Sequence, residues 1–208
     1  LETNLAILIA DLSGYTALTE THGSMAAADL IEKYMQIVNQ SLVGDCCVHQ
    51  YTGDEVVITS ASADYLASTA TMMLHHSHDE EYFLQVHGGL HYGKILRKNN
   101  NLFGTTINFA SRIAGKAQAG KFWCSADFTK AISDPSLVEF ECKGMYELKN
   151  LSDKSELFEL KIDPRKKIYI DPVCRMVIHD LEKAHTHPEE QVYFCSGECY
   201  EVYRERGF

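Results

Sequence analysis

"NLFGTTINFASRIAGKAQAGKFWCS", residues 101–125, decides how this chain is read. It leads through Gly104 into a helix whose apolar positions are Ile107, Ala110, Ile113 and Ala114, and it ends on a short apolar strand, "FWCS". The same helix places Asn108 and Arg112 four residues apart, so both project from one face. Such a pair is either a solvated helix face or a pair aimed at a ligand, and a guanidinium matches phosphate geometry. The surrounding sequence has to choose between these readings.

Upstream, "LAILIA" (5–10) predicts a buried strand, followed by the loop signal "DLSGYT". Ser24 is placed to cap a helix running to about residue 42, with Leu30, Ile31, Tyr34, Ile37, Val38 and Leu42 at helical spacing. "CCVHQYTGDEVVITS" predicts two strands meeting in a hairpin turn at Thr52–Asp54. A helix over about 62–78, ending in "HHSH", and a strand over 83–96 come next, then the polar loop "RKNNN" and the helix quoted first. Strand-like segments near "FWCS", "LVEFEC" and "ELFELKI" follow. This order predicts an α+β fold, a mixed antiparallel sheet with helices packed on one face.

Acidic residues outnumber basic ones by 29 to 19, for a net charge of −10. Residues 161–208 are nearly balanced, 8 basic against 9 acidic, so the first 160 residues carry almost all of the excess. That argues against a nucleic-acid-binding surface. It also implies that metal ions, rather than side chains, would meet most of the charge of a phosphate-bearing ligand. "LAILIA" is too short to cross a bilayer or to form a signal-peptide core, so no membrane is expected and the protein is read as cytoplasmic. Seven cysteines, an odd number without secretory context, do not read as a disulfide framework.

Asp11 directly follows the first strand, and Asp54 sits at the hairpin tip. If the hairpin flanks that strand, both carboxylates emerge near one edge, where they could hold Mg²⁺ or Mn²⁺. Taken singly, each is more simply a loop acid or a turn former. The stretches "ILIADLSGYTALTE", "YTGDEVVI", "HGGLHYGKIL" and "LFGTTINFASRIAGKAQAGKFWCS", in this order, resemble the catalytic domain of the class III nucleotidyl cyclases, the adenylate and guanylate cyclases. The resemblance covers about residues 5–160, and Gly104, Asn108, Ala110 and Arg112 match the family position by position. The related diguanylate cyclase signature is broken by Thr52 and Val56.

The resemblance implies a ferredoxin-like cyclase domain over residues 1–162 that converts ATP or GTP to the 3′,5′-cyclic nucleotide and pyrophosphate. It implies a homodimer with active sites at the interface. Asp11 and Asp54 would bind two metal ions per site, with Ile9, Leu12 or both able to lend a backbone carbonyl. Asn108 would orient the ribose, Arg112 would stabilise charge growing on the α-phosphoryl oxygens, and Lys143 in "ECKG" would contact phosphate unless it is an ordinary strand lysine. Base-reading positions fall on Gln50 and Asn101, where adenylate cyclases usually carry Lys and Asp and guanylate cyclases Glu and Cys. Both amides can donate and accept, so the resemblance implies weaker discrimination, with ATP preferred over GTP. His87 and His91, on one strand face, read as ordinary strand residues.

After a charged linker, residues 163–168, "YIDPVCRMVI" and "VYFCSGECYEVYRERGF" resemble the YHS domain over residues 169–208. Cys174, Cys195 and Cys199 could form a thiolate site for Zn²⁺ or Cu⁺, with His185 or His187 as a fourth ligand, or could simply pack as small apolar groups. The function read from the sequence is thus a nucleotidyl cyclase with a metal- or redox-responsive tail. The alternative is a catalytically inactive cyclase-like sensor of nucleotide or metal.

Overall fold

The computed structural model describes residues 2–99, 101–135, 138–149, 153–161, 169–174, 176–178, 181–188 and 190–206. The chain opens with β1 (Glu2–Leu12), α1 (Tyr15–Ser41), β2 (Cys47–Thr52), β3 (Glu55–Ser60), α2 (Ala63–Asp79) and β4 (Val86–Lys98). In space these four strands lie in the order β2-β3-β1-β4, all antiparallel, which is the ferredoxin-like βαββαβ arrangement. β5 (Asn101–Phe103) folds back on the end of β4, and α3 (Thr105–Ala114) follows. β6 (Phe122–Ser125) joins β4 in parallel, and β8 (Ser155–Lys161) and β7 (Glu139–Tyr146) complete the eight-stranded sheet. The mixed α+β sheet expected from the sequence is therefore present.

Both faces of the sheet are covered, which differs from the one-faced expectation. Ala6, Leu8 and Ala10 of β1 pack with α1 and α2, whereas Leu5, Ile7 and Ile9 pack with Ala110 and Ala114 of α3. A central strand buried on both sides needs an uninterrupted apolar run, and "LAILIA" is one. Gly89 makes the second layer possible: a Cβ there would collide with the backbone of Ala110 and Ala114, so α3 lies directly on β4.

Other differences are local. α1 begins at Tyr15 and is broken at Gly23 (φ 81°, ψ 174°), so the helix expected from Ser24 is only its second part. The first part is threonine-rich, and Thr19 and Thr21 donate their hydroxyls to the carbonyls of Tyr15 and Ala17. α4 (Ala126–Ala131) was not expected; Ser125 caps it by accepting from Phe128 N. The end of "RKNNN" belongs to strands, since Lys98 closes β4 and Asn101 opens β5.

The expected linker, residues 163–168, lies outside the described residues. Beyond it are two small hairpins, β9 (Tyr169–Ile170) with β10 (Val177–Ile178) and β11 (His185–Thr186) with β12 (Tyr193–Phe194), then α5 (Gly197–Arg206). This tail shares a core with the larger unit. Val173, Cys174, Phe194 and Cys199 join the apolar cluster of α1 and α2, and Leu84 bridges to Met176. No described helix is long and apolar enough to cross a membrane.

Candidate active site

β1 and the β2–β3 hairpin bring Asp11 and Asp54 together. Register pairing across β1 and β3 ends at Ala10 and Val56, so the strand end and the two-residue turn Gly53–Asp54 sit side by side. Burial and a hydrogen bond with the Asp11 carboxyl push the Asp54 carboxyl up to about 6. Asp11 Oδ1 also accepts from Leu12 N at 2.9 Å. Two carboxyls this close need a shared proton or a cation, and hard oxygen donors suit Mg²⁺ or Mn²⁺.

His87 lies opposite Asp11 in the β1–β4 register, and its Nδ1 is 2.9 Å from Ser13 Oγ. Burial holds its pKa below the usual range against the pull of Asp54. Tyr34 of α1 keeps its hydroxyl buried with no hydrogen-bond partner among the described residues; burial and then Asp11, Asp54 and Glu55 raise its pKa. His91, two pleat repeats further along β4, is locked by Ser125 Oγ at 2.7 Å and by stacking on Phe109 of α3 at 4.3 Å. Both histidines thus have defined partners on β4, Ser13 for His87, and Ser125 and Phe109 for His91.

Asn108 is exposed on α3, and Arg112 in its last turn lines a cavity of about 690 Å³. The same cavity is lined by Lys116, Lys149 and Lys154, with Glu147 and Asp153. An acidic chain therefore concentrates four cations at this one place, which the overall charge balance had not suggested. Lys143 is not among the lining residues. Its Nζ lies 3.3 Å from the buried Glu159 carboxylate and 3.6 Å from Glu141, above the Trp123 ring. Neither Asp11 nor Asp54 is among the residues that line the Arg112 cavity.

A second cavity, about 210 Å³, opens between β2, β3 and the β4–β5 end, lined by Cys47, Val48, His49, Thr59, Arg97 and Leu102. Gln50 and Asn101 are sequence neighbours of this lining but not part of it. Gln50 Nε2 donates to Thr52 Oγ1, and Asn101 Nδ2 donates to Asn99 O. The β2–β3 register shifts between Val48 and Gln50, an irregularity that alternation alone does not reveal.

In the tail, Cys174, Cys195 and Cys199 do converge, and the fourth group beside them is His22 of α1 rather than His185 or His187. His187 instead packs edge-on against Tyr200 and Tyr203. Sequence spacing could not find His22, which is 152 positions from the first of these cysteines. Asp171 was also missed. Its buried carboxylate accepts from Val173, Cys174 and Cys195 N–H groups, and "DPVC" carries the Asx-turn signal that could have revealed it.

No family model matches the sequence. The chain is 30% identical over 160 residues to an uncharacterized protein of Mycobacterium tuberculosis, and 29% identical over 119 residues to an adenylate cyclase of Streptomyces coelicolor. These alignments take in 76% and 56% of this chain but only 41% and 31% of the relatives, so the chain spans about two fifths of their length or less. Among solved structures it is similar to the adenylyl cyclase CyaB from P. aeruginosa, with a TM-score of 0.67 at 18% identity, covering 79% of this chain and 97% of that one. The greater part of the chain thus has the fold of the class III nucleotidyl cyclase catalytic domains, and its sequence is similar to that of an adenylate cyclase.

Proposed function

We propose that the protein is a nucleotidyl cyclase that converts ATP, and less readily GTP, to the 3′,5′-cyclic nucleotide and pyrophosphate. The observation that carries this reading is the Asp11–Asp54 carboxyl pair, held on the same fold that presents Asn108 and Arg112 on α3. Bound Mg²⁺ or Mn²⁺, two per site, would supply Lewis acidity at the ribose 3′-oxygen and neutralise phosphate charge. Asp11 and Asp54 would hold these ions. Asn108 would orient the ribose so that its 3′-oxygen lines up with the α-phosphorus, and Arg112 would meet charge growing on the α-phosphoryl oxygens.

Lys116 and Lys149 beside Arg112 suit the remaining phosphates, whereas Lys154 is paired with Glu147 at 3.5 Å. Lys143, occupied by Glu159, is the weaker candidate for that contact. The complete site would be shared by two chains, one supplying the carboxylates and the other Asn108 and Arg112, a reading supported by the absence of Asp11 and Asp54 from the Arg112 cavity. Gln50 and Asn101, flanking the His49–Arg97 cavity, would set base preference. The tail, similar to a YHS domain, would act as a regulatory element.

The deciding experiment is product analysis after incubating the purified protein with Mn²⁺ and either ATP or GTP, with Asp54→Ala as control. Cyclic nucleotide from the wild type and none from the control is expected. Nucleotide binding without product from either base would overturn the enzymatic reading in favour of a cyclase-like sensor.

A further inference from the structure

We propose that His22, Cys174, Cys195 and Cys199 form a single tetrahedral Zn²⁺ site, so that one metal ion fastens the tail to helix α1. The four ligand atoms all lie within 4.8 Å of one another. Cys174 Sγ is 3.3 Å from Cys195 Sγ, which is 3.7 Å from Cys199 Sγ. His22 Nε2 lies 3.3 Å from Cys199 Sγ and 3.7 Å from Cys195 Sγ. A tetrahedral ion with Zn–S of about 2.3 Å and Zn–N of about 2.0 Å needs ligand atoms separated by roughly 3.5–3.8 Å. Two of the four edges given are 3.7 Å and two are 3.3 Å, so the cluster is close to that size before any ion enters.

The alternatives fit less well. A disulfide needs sulfurs about 2.05 Å apart, and all seven cysteines are free. A purely apolar role leaves unexplained why an imidazole nitrogen is turned toward three sulfurs. Cu⁺ favours thiolates alone, whereas three thiolates with one imidazole is a common structural zinc set.

The shell around the cluster is also built. Asp171 accepts from Cys195 N at 2.7 Å and from Cys174 N at 3.1 Å, tying the two cysteine-bearing loops to one carboxylate. Glu198 Oε2 lies 4.0 Å from His22 Nδ1, the ring nitrogen not turned to the sulfurs, too far for a hydrogen bond but near enough to favour a positive centre at this histidine. Cys174 and Cys199 are fully buried, which suits a structural ion rather than a reactive thiol. His22 is the last residue before the break at Gly23, so the ion would hold the first part of α1.

The test uses the full chain, reduced and handled without oxygen. Elemental analysis should find one zinc per chain. Co²⁺ in its place should give tetrahedral d–d absorption with thiolate charge transfer. His22→Ala should weaken zinc in chelator competition by more than the roughly 10–100-fold typical of losing an outer-shell partner. His22→Cys should restore a tetrahedral spectrum with added thiolate charge transfer. In unsubstituted protein, stripping the metal should raise hydrogen exchange across 181–206, and Zn²⁺ alone should lower it again. Undiminished zinc affinity in His22→Ala, exchange indifferent to zinc, or a Cys174–Cys195 disulfide in place of metal would each overturn the proposal. None of these readouts depends on cyclase activity.

Discussion

Asp54 sits in a turn, where an ordinary aspartate is ionised at neutral pH, yet burial and then Asp11 push its carboxyl up to about 6. A carboxyl raised in the folded state costs stability once it must ionise. Without metal, that cost is absent below the ordinary carboxylate pKa, grows as pH rises to about 6 and is complete above it. Asp54→Asn should therefore raise the melting temperature of metal-free protein at pH 8, have no such effect at pH 4, and lose its advantage when Mn²⁺ is added. Calorimetry at the two pH values checks this. His91 gives the opposite sign: burial lowers its pKa to about 4, so stability should fall by up to about 3 kcal/mol as pH drops from 6.5 toward 4. A His91→Gln variant should show a flatter acid limb in urea unfolding over that range. Asp11 and Asp54 were legible because short motifs surround each of them. His22 was not, because a ligand supplied from a distant helix leaves no spacing in the chain.

At the scale of elements, α3 depends on a missing side chain. A Cβ at Gly89 would overlap the backbone of Ala110 and Ala114, so Gly89→Ala must lift the helix from β4. The expected outcome is a loss of about 1–3 kcal/mol in denaturant unfolding. The rate should fall as well, because Asn108 and Arg112 ride on the displaced helix. Most elements were readable from periodicity, including the α3 stripe and the hairpin at Asp54. The face that α3 covers was not. "LAILIA" reads as a buried strand whether one or both sides are covered, and the glycines of "HGGL" disclose close approach only once a partner is known. α4, six residues long, was hidden behind the strand it follows, although Ser125 and Asp127 carry the start signal.

At the scale of the whole molecule, the proposed sharing of one site between two chains makes a prediction about pairs of chains. Asp54→Ala and Arg112→Ala should each be inactive alone, with Arg112→Ala down by about 10²–10³-fold. Mixing the two should recover activity, since a mixed dimer keeps one intact site. Titration of one variant into the other, read as cyclic nucleotide formed, checks this, and no recovery would sink the two-chain site. Gln50→Lys combined with Asn101→Asp should raise selectivity for ATP over GTP, because lysine only donates and aspartate only accepts. Composition and motif suggested a large unit followed by a short tail, with a linker at 163–168 that falls outside the described residues. Their shared core was not, since Val173 and Phe194 look like any residues of a small hairpin until α1 is laid against them.

β1 lies at the centre of the sheet, with Ala6–Ala10 paired to Val56–Ser60 on one side and the whole strand paired to Val86–Leu96 on the other. During synthesis the six apolar residues of "LAILIA" therefore emerge well before either neighbour exists. For some fifty residues of translation no native hydrogen-bonding edge is available to them, and for about eighty the second edge is still missing. At a synthesis rate of about 5–20 residues per second, that leaves a sticky, uncharged segment uncovered for seconds on the ribosome. The strand that anchors the finished fold is thus also an aggregation hazard while the chain is still being made.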